Sequence, residues 1–378
     1  MGGLGMADTS TDRFTAEQRA LLALWAVPGL GPKALEALRA QAGGSLSALA
    51  ACPVREWLAD VRLPVAVRRT LASVPELGLL AERVLERCAA SHIQVAFPGE
   101  SAWPERLSGV EDAPPLLFYR GRVGPPRRRV AMVGSRHPDQ GFLPFARTFA
   151  RRVAEGGVGV VSGAAAGVDR ACHWGAMDAG AETWAFLGSA LDELDAAQAK
   201  LLPYFLEKGG VFFSELPPGV RASTTTFPRR NRLIAGASDA VLVMRAGVDS
   251  GSLYTAEAGE RQGRPVLALP GDVTNEGAAG CNALIRDGKA RACLSVEEVW
   301  RVVGVHPERG VPPGAGPSWE ELSVEARGAY RLLDRVPRTF DEVLGGCRLS
   351  PGALTSALVE LELSGLVIQH PGRLYERI

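Results

Sequence analysis

Six short apolar runs, Val130–Val133, Val158–Val161, Thr183–Leu187, Val211–Ser214, Ala240–Met244 and Val266–Leu269, recur through the middle of the chain, most of them separated by stretches of helical spacing. A strand with one face in water alternates apolar and polar residues, so a continuous apolar run implies burial on both faces. Such strands, alternating with helices, specify a mostly parallel, doubly wound, Rossmann-like α/β sheet. In sheets of this kind ligands bind at the carboxyl ends of the strands, so the strand-to-helix junctions are where a site is sought.

The chain has 378 residues, which suggests two or three domains. Over residues 14–90 apolar residues fall at helical spacing (Leu21, Leu24, Trp25; Leu35, Leu38; Val84, Leu85) between breaks at Pro28, Pro32, Gly43, Pro53, Pro64 and Pro75. This predicts a small bundle of short helices, SAM- or helix-hairpin-helix-like. Within it, Val27-Pro28-Gly29-Leu30-Gly31-Pro32-Lys33 has the form of a helix-hairpin-helix turn. Its glycines suit either an approach to a DNA phosphate or a tight turn between packed helices. Residues 91–303 carry the sheet, opening with a strand-like run at Ile93–Phe97 and Pro-rich irregular sequence behind it. Residues 304–318 are rich in glycine and proline and read as a linker. Residues 319–378 show three helix-like segments, Trp319–Leu333, Thr339–Leu344 and Ser350–Leu363, and then an alternating stretch around Pro371-Gly372. Three helices and a terminal hairpin make a winged helix, a shape used for DNA and for protein contacts. The exposed side expected for its third helix (Thr355, Ser356, Glu360, Glu362) offers no cation.

Lys and Arg balance Asp and Glu at 42 each, so any grip on nucleic acid must come from local patches. Six scattered cysteines without a CxxC pair fit a reducing cytosol. Met1 to Arg13 lacks the basic start and apolar run of a signal peptide, and the apolar run Leu21–Val27 is too short to span a bilayer, so a cytoplasmic protein without a membrane partner is expected.

Four junctions suit phosphate. At the first, Gly134 and Ser135 leave backbone N–H groups open beside Arg136, whose guanidinium can fork onto a phosphate. The second is Ser162-Gly163-Ala164-Ala165-Ala166-Gly167-Val168-Asp169. Here Asp169 occupies the positive end of the helix dipole and would repel a phosphate set directly on it. The loop therefore holds one backbone phosphate at its side through Ser162, Gly163 and Gly167, or simply starts a helix. The third, Phe227-Pro228-Arg229-Arg230-Asn231-Arg232, joins three arginines to an aromatic and an amide, a combination of cationic grip and stacking surface. The fourth is the anion-friendly turn Ser250-Gly251-Ser252.

Neither G-x-G-x-x-G nor a P-loop occurs, which argues against dinucleotide and P-loop nucleotide cofactors. The five histidines show no metal spacing, and adjacent Cys172 and His173 point apart on a helix. No cofactor, metal or catalytic residue is expected. Glu257 is the best lone acid-base candidate and more readily an ordinary surface glutamate.

Val130 to Arg136, Val161 to Asp169, Ser214-Glu215-Leu216-Pro217, Phe227 to Gly236, Ser250 to Ser252 and Ala268 to Asp272, in that order, resemble the bacterial DNA processing protein A family (DprA, also called Smf). The resemblance spans at least residues 92–303, and the flanking helical and winged-helix parts are similar to known family extensions. It implies a protein that is not an enzyme: one that binds and protects incoming single-stranded DNA, helps load the RecA recombinase in place of single-strand binding protein during natural transformation, and acts as a homodimer. It implies phosphate contacts from Gly134, Ser135 and Arg136 and from a lysine matched to Lys200, although Leu194, Asp195 and Gln198 depart from the family pattern ahead of it. Any duplex contact would fall to the terminal parts. A second resemblance, through Asp249 to Glu257, is to the cytokinin-activating phosphoribohydrolases of the same superfamily. It would make the chain a nucleotide-hydrolysing enzyme, but the paired glycines of that motif are missing.

Overall fold

The computed structural model describes residues 13–305 and 322–377, apart from positions 75, 111, 126, 140, 335, 348, 364, 365 and 371. Two compact units result, Met1–Pro307 and Glu308–Ile378. The predicted linker, 304–318, lies outside the described residues except for its first two positions.

The first unit opens with six helices, α1 (Ala16–Trp25), α2 (Pro32–Gln41), α3 (Leu46–Ala50), α4 (Val54–Leu58), α5 (Val65–Ala72) and α6 (Leu77–Ala90). Thr15 starts α1 with a capping box, its hydroxyl taking the Gln18 amide while the Gln18 side chain takes its own. Ala20 to Trp25 are then all buried, so α1 is the central helix of the bundle rather than a surface one. The bundle shares its core with the sheet, since Leu24, Leu38 and Leu77 belong to one apolar cluster with Phe118, Phe205 and Phe212.

The sheet has nine strands: β1 (Gln94–Ala96), β2 (Leu117–Arg120), β3 (Arg129–Gly134), β4 (Gly159–Ser162), β5 (Thr183–Phe186), β6 (Val211–Ser214), β7 (Ala240–Arg245), β8 (Val266–Ala268) and β9 (Arg291–Ala292). Helices α7 (Phe142–Glu155), α8 (Val168–Asp178), α9 (Ala196–Glu207), α10 (Thr226–Gly236), α11 (Leu253–Arg261) and α12 (Ala279–Arg286) connect β3 onward, and α13 (Val296–Val303) follows β9. Strand order is β1-β2-β6-β5-β4-β3-β7-β8-β9. Pairing is parallel from β6 to β9 and antiparallel only at β1–β2 and β2–β6. The predicted runs correspond to β3 through β8, and the run at Ile93–Phe97 to β1. Burial on both faces is visible within β3. Val130 and Met132 enter one core, Ala131 and Val133 the opposite one. Each such side chain contributes about 1.5–3 kcal/mol, less for alanine, which is why this strand sits at the centre.

From β3 the chain winds outward through β4, β5 and β6, then crosses back to add β7 on the other side of β3. Beyond Gly134 and Arg245 the two adjacent strands send their chains to opposite directions, which opens a crevice at the carboxyl edge.

In the second unit α14 (Val324–Leu332), β10 (Arg338–Thr339), α15 (Phe340–Gly346), α16 (Pro351–Leu363), β11 (Val367–His370) and β12 (Leu374–Arg377) form a winged helix with strand order β10-β12-β11. Ser323 caps α14, donating its hydroxyl to Glu360 and accepting the Ala326 amide, so the helix begins five residues later than the sequence pattern predicts; positions 319–321 lie outside the described residues. Leu322, Ala326, Leu354, Leu358, Leu361, Phe340 and Tyr375 build a separate core. Among the described residues of the whole chain, no helix is long and apolar enough to cross a membrane.

Candidate nucleic-acid interface

A cleft of about 610 Å³ occupies the crevice between β3 and β7. Gly134, Ser135 and Arg136 form one wall; Phe227, Arg230 and Asn231 of α10 form another; Ser250, Gly251 and Ser252 lead into α11. Neither α10 nor α11 has a side-chain N-cap; at the start of α11 the Leu253 amide goes to the Ser250 carbonyl and the Thr255 amide to that of Ser252, both at 3.0 Å. A helix start still carries a partial positive charge. Ser135 is pinned at both ends, donating its amide to the Arg245 carbonyl at 2.7 Å and accepting the Val168 amide at 3.1 Å. Arg136 is exposed and makes no ion pair among the described residues; its guanidinium lies 5.1 Å from the centre of the Phe227 ring. Asn231 spans the mouth, its amide nitrogen donating to the Gly251 carbonyl at 3.0 Å.

The glycine loop after β4 faces inward. The Ser162 hydroxyl donates to the Met132 carbonyl at 2.6 Å and is fully buried. Asp169, on the first turn of α8, takes the Gly163 amide at 3.1 Å and also that of Gly134. Its carboxylate thus fills the place that a phosphate takes in a nucleotide fold. Burial raises the Asp169 pKa, and the positive charge of Arg230 works against that rise. Burial also pushes Arg230 down to about 10, so its guanidinium stays charged at neutral pH. Gly163 lies between the two: a Cβ there would stand 2.6 Å from an Arg230 nitrogen and 2.7 Å from an Asp169 oxygen. Gly167 is needed as well, with φ at +85° and the Ser135 and Arg136 carbonyls against the place of a Cβ.

The three arginines of α10 have different fates. Arg230 donates to the Gly163 and Phe186 carbonyls and is 5% exposed. Arg232, 7% exposed, bonds Glu215 at 2.6 Å and pairs with Asp112 at 3.0 Å. Arg229 alone points outward, 3.4 Å from Glu215. Glu215, from the Ser214–Pro217 motif, is the acid that organises this helix, and its carbonyl also takes the Trp25 indole N–H at 2.7 Å. Sequence reasoning missed this role of Glu215. Its clue was a carboxylate at a strand end facing an arginine cluster of no net partner. Asp249 and Glu276 also line the cleft, so its cationic character concentrates in Arg136.

Lys200 is exposed on α9 and does not line the cleft, and neither do Ser162, Gly163, Gly167, Arg229 and Arg232. Glu257 is also outside it, on α11 beside two neighbouring depressions. In one of those, of about 530 Å³, Gly31 and Pro32 of the turn between α1 and α2 meet Pro228, Arg229 and Tyr254. Among the described residues no cluster of three or more His, Cys, Asp or Glu is placed to hold a metal.

The family model for DNA recombination-mediator protein A matches residues 94–304, and that for the DprA winged helix domain matches residues 313–373. Protein Smf of Synechocystis is 30% identical over 328 residues, covering 78% of this chain and 82% of its own. The putative DNA processing protein DprA of Mycobacterium tuberculosis is 36% identical over 267 residues, covering 68% of each chain. Among solved structures, DprA from Streptococcus pneumoniae superposes with a TM-score of 0.61 at 26% identity, over 76% of this chain and 98% of its own. DprA from Helicobacter pylori gives a TM-score of 0.50 at 25% identity, over 57% and 99%. With the sheet region and the winged helix both matched in order, the chain belongs to the DNA recombination-mediator protein A (DprA/Smf) family of DNA processing proteins.

Proposed function

We propose that the switch-point cleft binds single-stranded DNA by its backbone and that the chain protects such DNA and hands it to the RecA recombinase during transformation. The observation that carries the reading is the exposed Arg136 guanidinium set over the half-exposed Phe227 ring at the mouth of the cleft. A cation beside an aromatic face suits a flexible strand, whose phosphate meets the charge while an unpaired base stacks on the ring. The Ser250 and Ser252 hydroxyls, 2.8 Å apart on the cleft wall, add neutral donors for the same phosphate. The Helicobacter pylori relative, whose structure concerns its single-stranded DNA binding mode, supports the same choice of ligand.

Arg136, Phe227, Asn231, Ser250, Gly251 and Ser252 then act on DNA directly, while Gly134 and Ser135, whose amides are not open as the sequence suggests but taken by Asp169 and the Arg245 carbonyl, shape the turn that presents Arg136. Ser162, Gly163, Gly167, Arg230 and Arg232 hold the cleft's walls, while Arg229 and Lys200 meet backbone phosphates outside it. RecA, a second copy of the chain and single-strand binding protein are the protein partners in this reading. The test is a salt titration of oligothymidylate affinity. Arg136→Ala should weaken binding and flatten the slope of log affinity against log salt by about 0.7, one phosphate contact on single strands. An unchanged affinity and slope would place the strand elsewhere. The nucleotide-hydrolase alternative is not favoured, because Glu257 stands outside the cleft; incubation with AMP should release no base.

A further inference from the structure

A second cleft, of about 650 Å³, opens on the opposite edge of the sheet. Its wall comes from the amino ends of the strands: Arg129 begins β3, Trp184 lies at the start of β5, Asp239 precedes β7 and Arg264 precedes β8. Strand β3, six residues long, separates it from the first cleft by roughly 17 Å. Arg106, Arg127, Arg128, Arg129 and Arg264 all line it.

Those five cations face too few anions. Arg106 and Arg128 share one oxygen of Asp239, whose other oxygen takes the Arg129 amide at 2.9 Å. Arg127 and Arg129 share one oxygen of Glu182, at 3.7 and 2.7 Å. Glu105, at the rim, is exposed. Among the described residues Arg264 bonds to two carbonyls, those of Arg106 and Gly236, and to no carboxylate. A guanidinium carries five N–H donors, so this arrangement leaves donors and positive charge in surplus. Arg106, Arg127 and Arg128 keep side-chain exposures of 43%, 37% and 50%, which turns that surplus toward the cleft.

A second observation points to a ligand. Trp184 is 2% exposed and lines the cleft, and its indole N–H has no hydrogen-bond partner among the described residues. The Arg264 Nε is likewise buried and without a partner among the described residues. Buried donors are nearly always satisfied, and one left open beside an excess of cations is suited to an anion's oxygen. The Arg129 guanidinium, 3.5 Å from the centre of the Trp184 ring, fixes the indole in place.

We propose that this amino-edge cleft is a second phosphate-binding site, which holds a phosphorylated ligand between the Trp184 indole N–H and the guanidinium groups of Arg127, Arg128 and Arg264. The shared chemistry is a phosphate oxygen accepting from arginine forks and one indole. A nucleic-acid backbone and a free nucleotide both offer it.

The experiment is calorimetric titration of the full chain with inorganic phosphate, thymidine monophosphate and a short oligothymidylate. All variants carry Arg136→Ala, so that the carboxyl-edge cleft contributes as little heat as possible. Adding Arg127→Ala with Arg128→Ala should weaken phosphate binding about tenfold, the loss expected of a charged hydrogen bond. Adding Trp184→Phe should weaken it about fivefold, while keeping the ring under Arg129 and hence the fold. Melting curves establish that each variant is native; should the double alanine variant not fold, Trp184→Phe carries the test alone. An oligothymidylate that responds to the same substitutions identifies a strand as the ligand, and a response of the monophosphate alone identifies a nucleotide; either result supports the site. Phosphate binding that is absent, or equal in every folded variant, overturns it.

Discussion

From the first turn of α8, Asp169 sets its carboxylate against the Gly163 amide of the preceding loop at 3.1 Å, a donor that would otherwise be left for a ligand. The buried charge is balanced by Arg230, which reaches the same loop through the Gly163 carbonyl at 2.8 Å. Removing one member of such a pair leaves the other charged in a medium that cannot solvate it. Asp169→Asn keeps the shape and removes the charge, and should therefore cost about 3 kcal/mol of stability, read as a lowered urea midpoint at pH 7. An unchanged midpoint would mean that the loop is held by its glycines alone. The glycine spacing and Asp169 were legible in the sequence, and so was the conflict between that carboxylate and a phosphate. The fate of the arginines was not. Whether Arg230 or Arg229 meets solvent depends on acids and carbonyls supplied by β4, β5 and the Ser214–Pro217 turn, and one-dimensional spacing does not order them.

Helix α8 is tied to the sheet by a histidine. His173 is fully buried; its Nδ1 lies 2.7 Å from the Thr183 hydroxyl on β5, and its Nε2 accepts the Ala164 amide at 3.3 Å. Burial, with the charges of Arg230 and Arg170 added, pushes its pKa down to about 3 from an ordinary 6.5. Between those values the unfolded chain binds a proton that the folded chain refuses. Stability is therefore complete above pH 6.5 and falls as pH drops below it, by about 1.4 kcal/mol per pH unit from this group. Urea midpoints at pH 7 and pH 5 should show the wild type losing about 2 kcal/mol more than His173→Gln over that window. Parallel losses would sink the assignment. At this scale the sequence was most informative where an element is long and buried on both faces, as in β3 and β7. It was silent on β2 and β9. Strand β2 follows two prolines and exists because β6 offers it an antiparallel edge, while β9 is only two residues long.

The cores of the two units are separate, with Val133, Phe186 and Leu233 in the sheet's and Leu322, Phe340 and Leu361 in the winged helix's. The winged helix was legible from its three periodic segments and terminal alternation, because each is a local pattern; the sharing of one core by the N-terminal bundle and the sheet was not, because Trp25 meets Glu215 across 190 residues. The exposed positions described in α16, Pro351, Gly352, Thr355, Ser356, Val359 and Glu362, carry no cation; Glu360, expected among them, is half-buried against Ser323. A recognition helix that offers no Arg or Lys to a phosphate adds little to the electrostatic term that dominates affinity. A chain ending at residue 307 should therefore fold with an unchanged melting temperature for the sheet unit. It should bind oligothymidylate with a salt slope within about 0.7 of the full chain's, less than one phosphate contact. Parallel titrations of both chains decide the matter. A slope that falls by two contacts or more would assign phosphates to the wing, where Arg373 lies over Phe340 and Arg377 over Tyr330, and would move part of the strand's path out of the sheet unit.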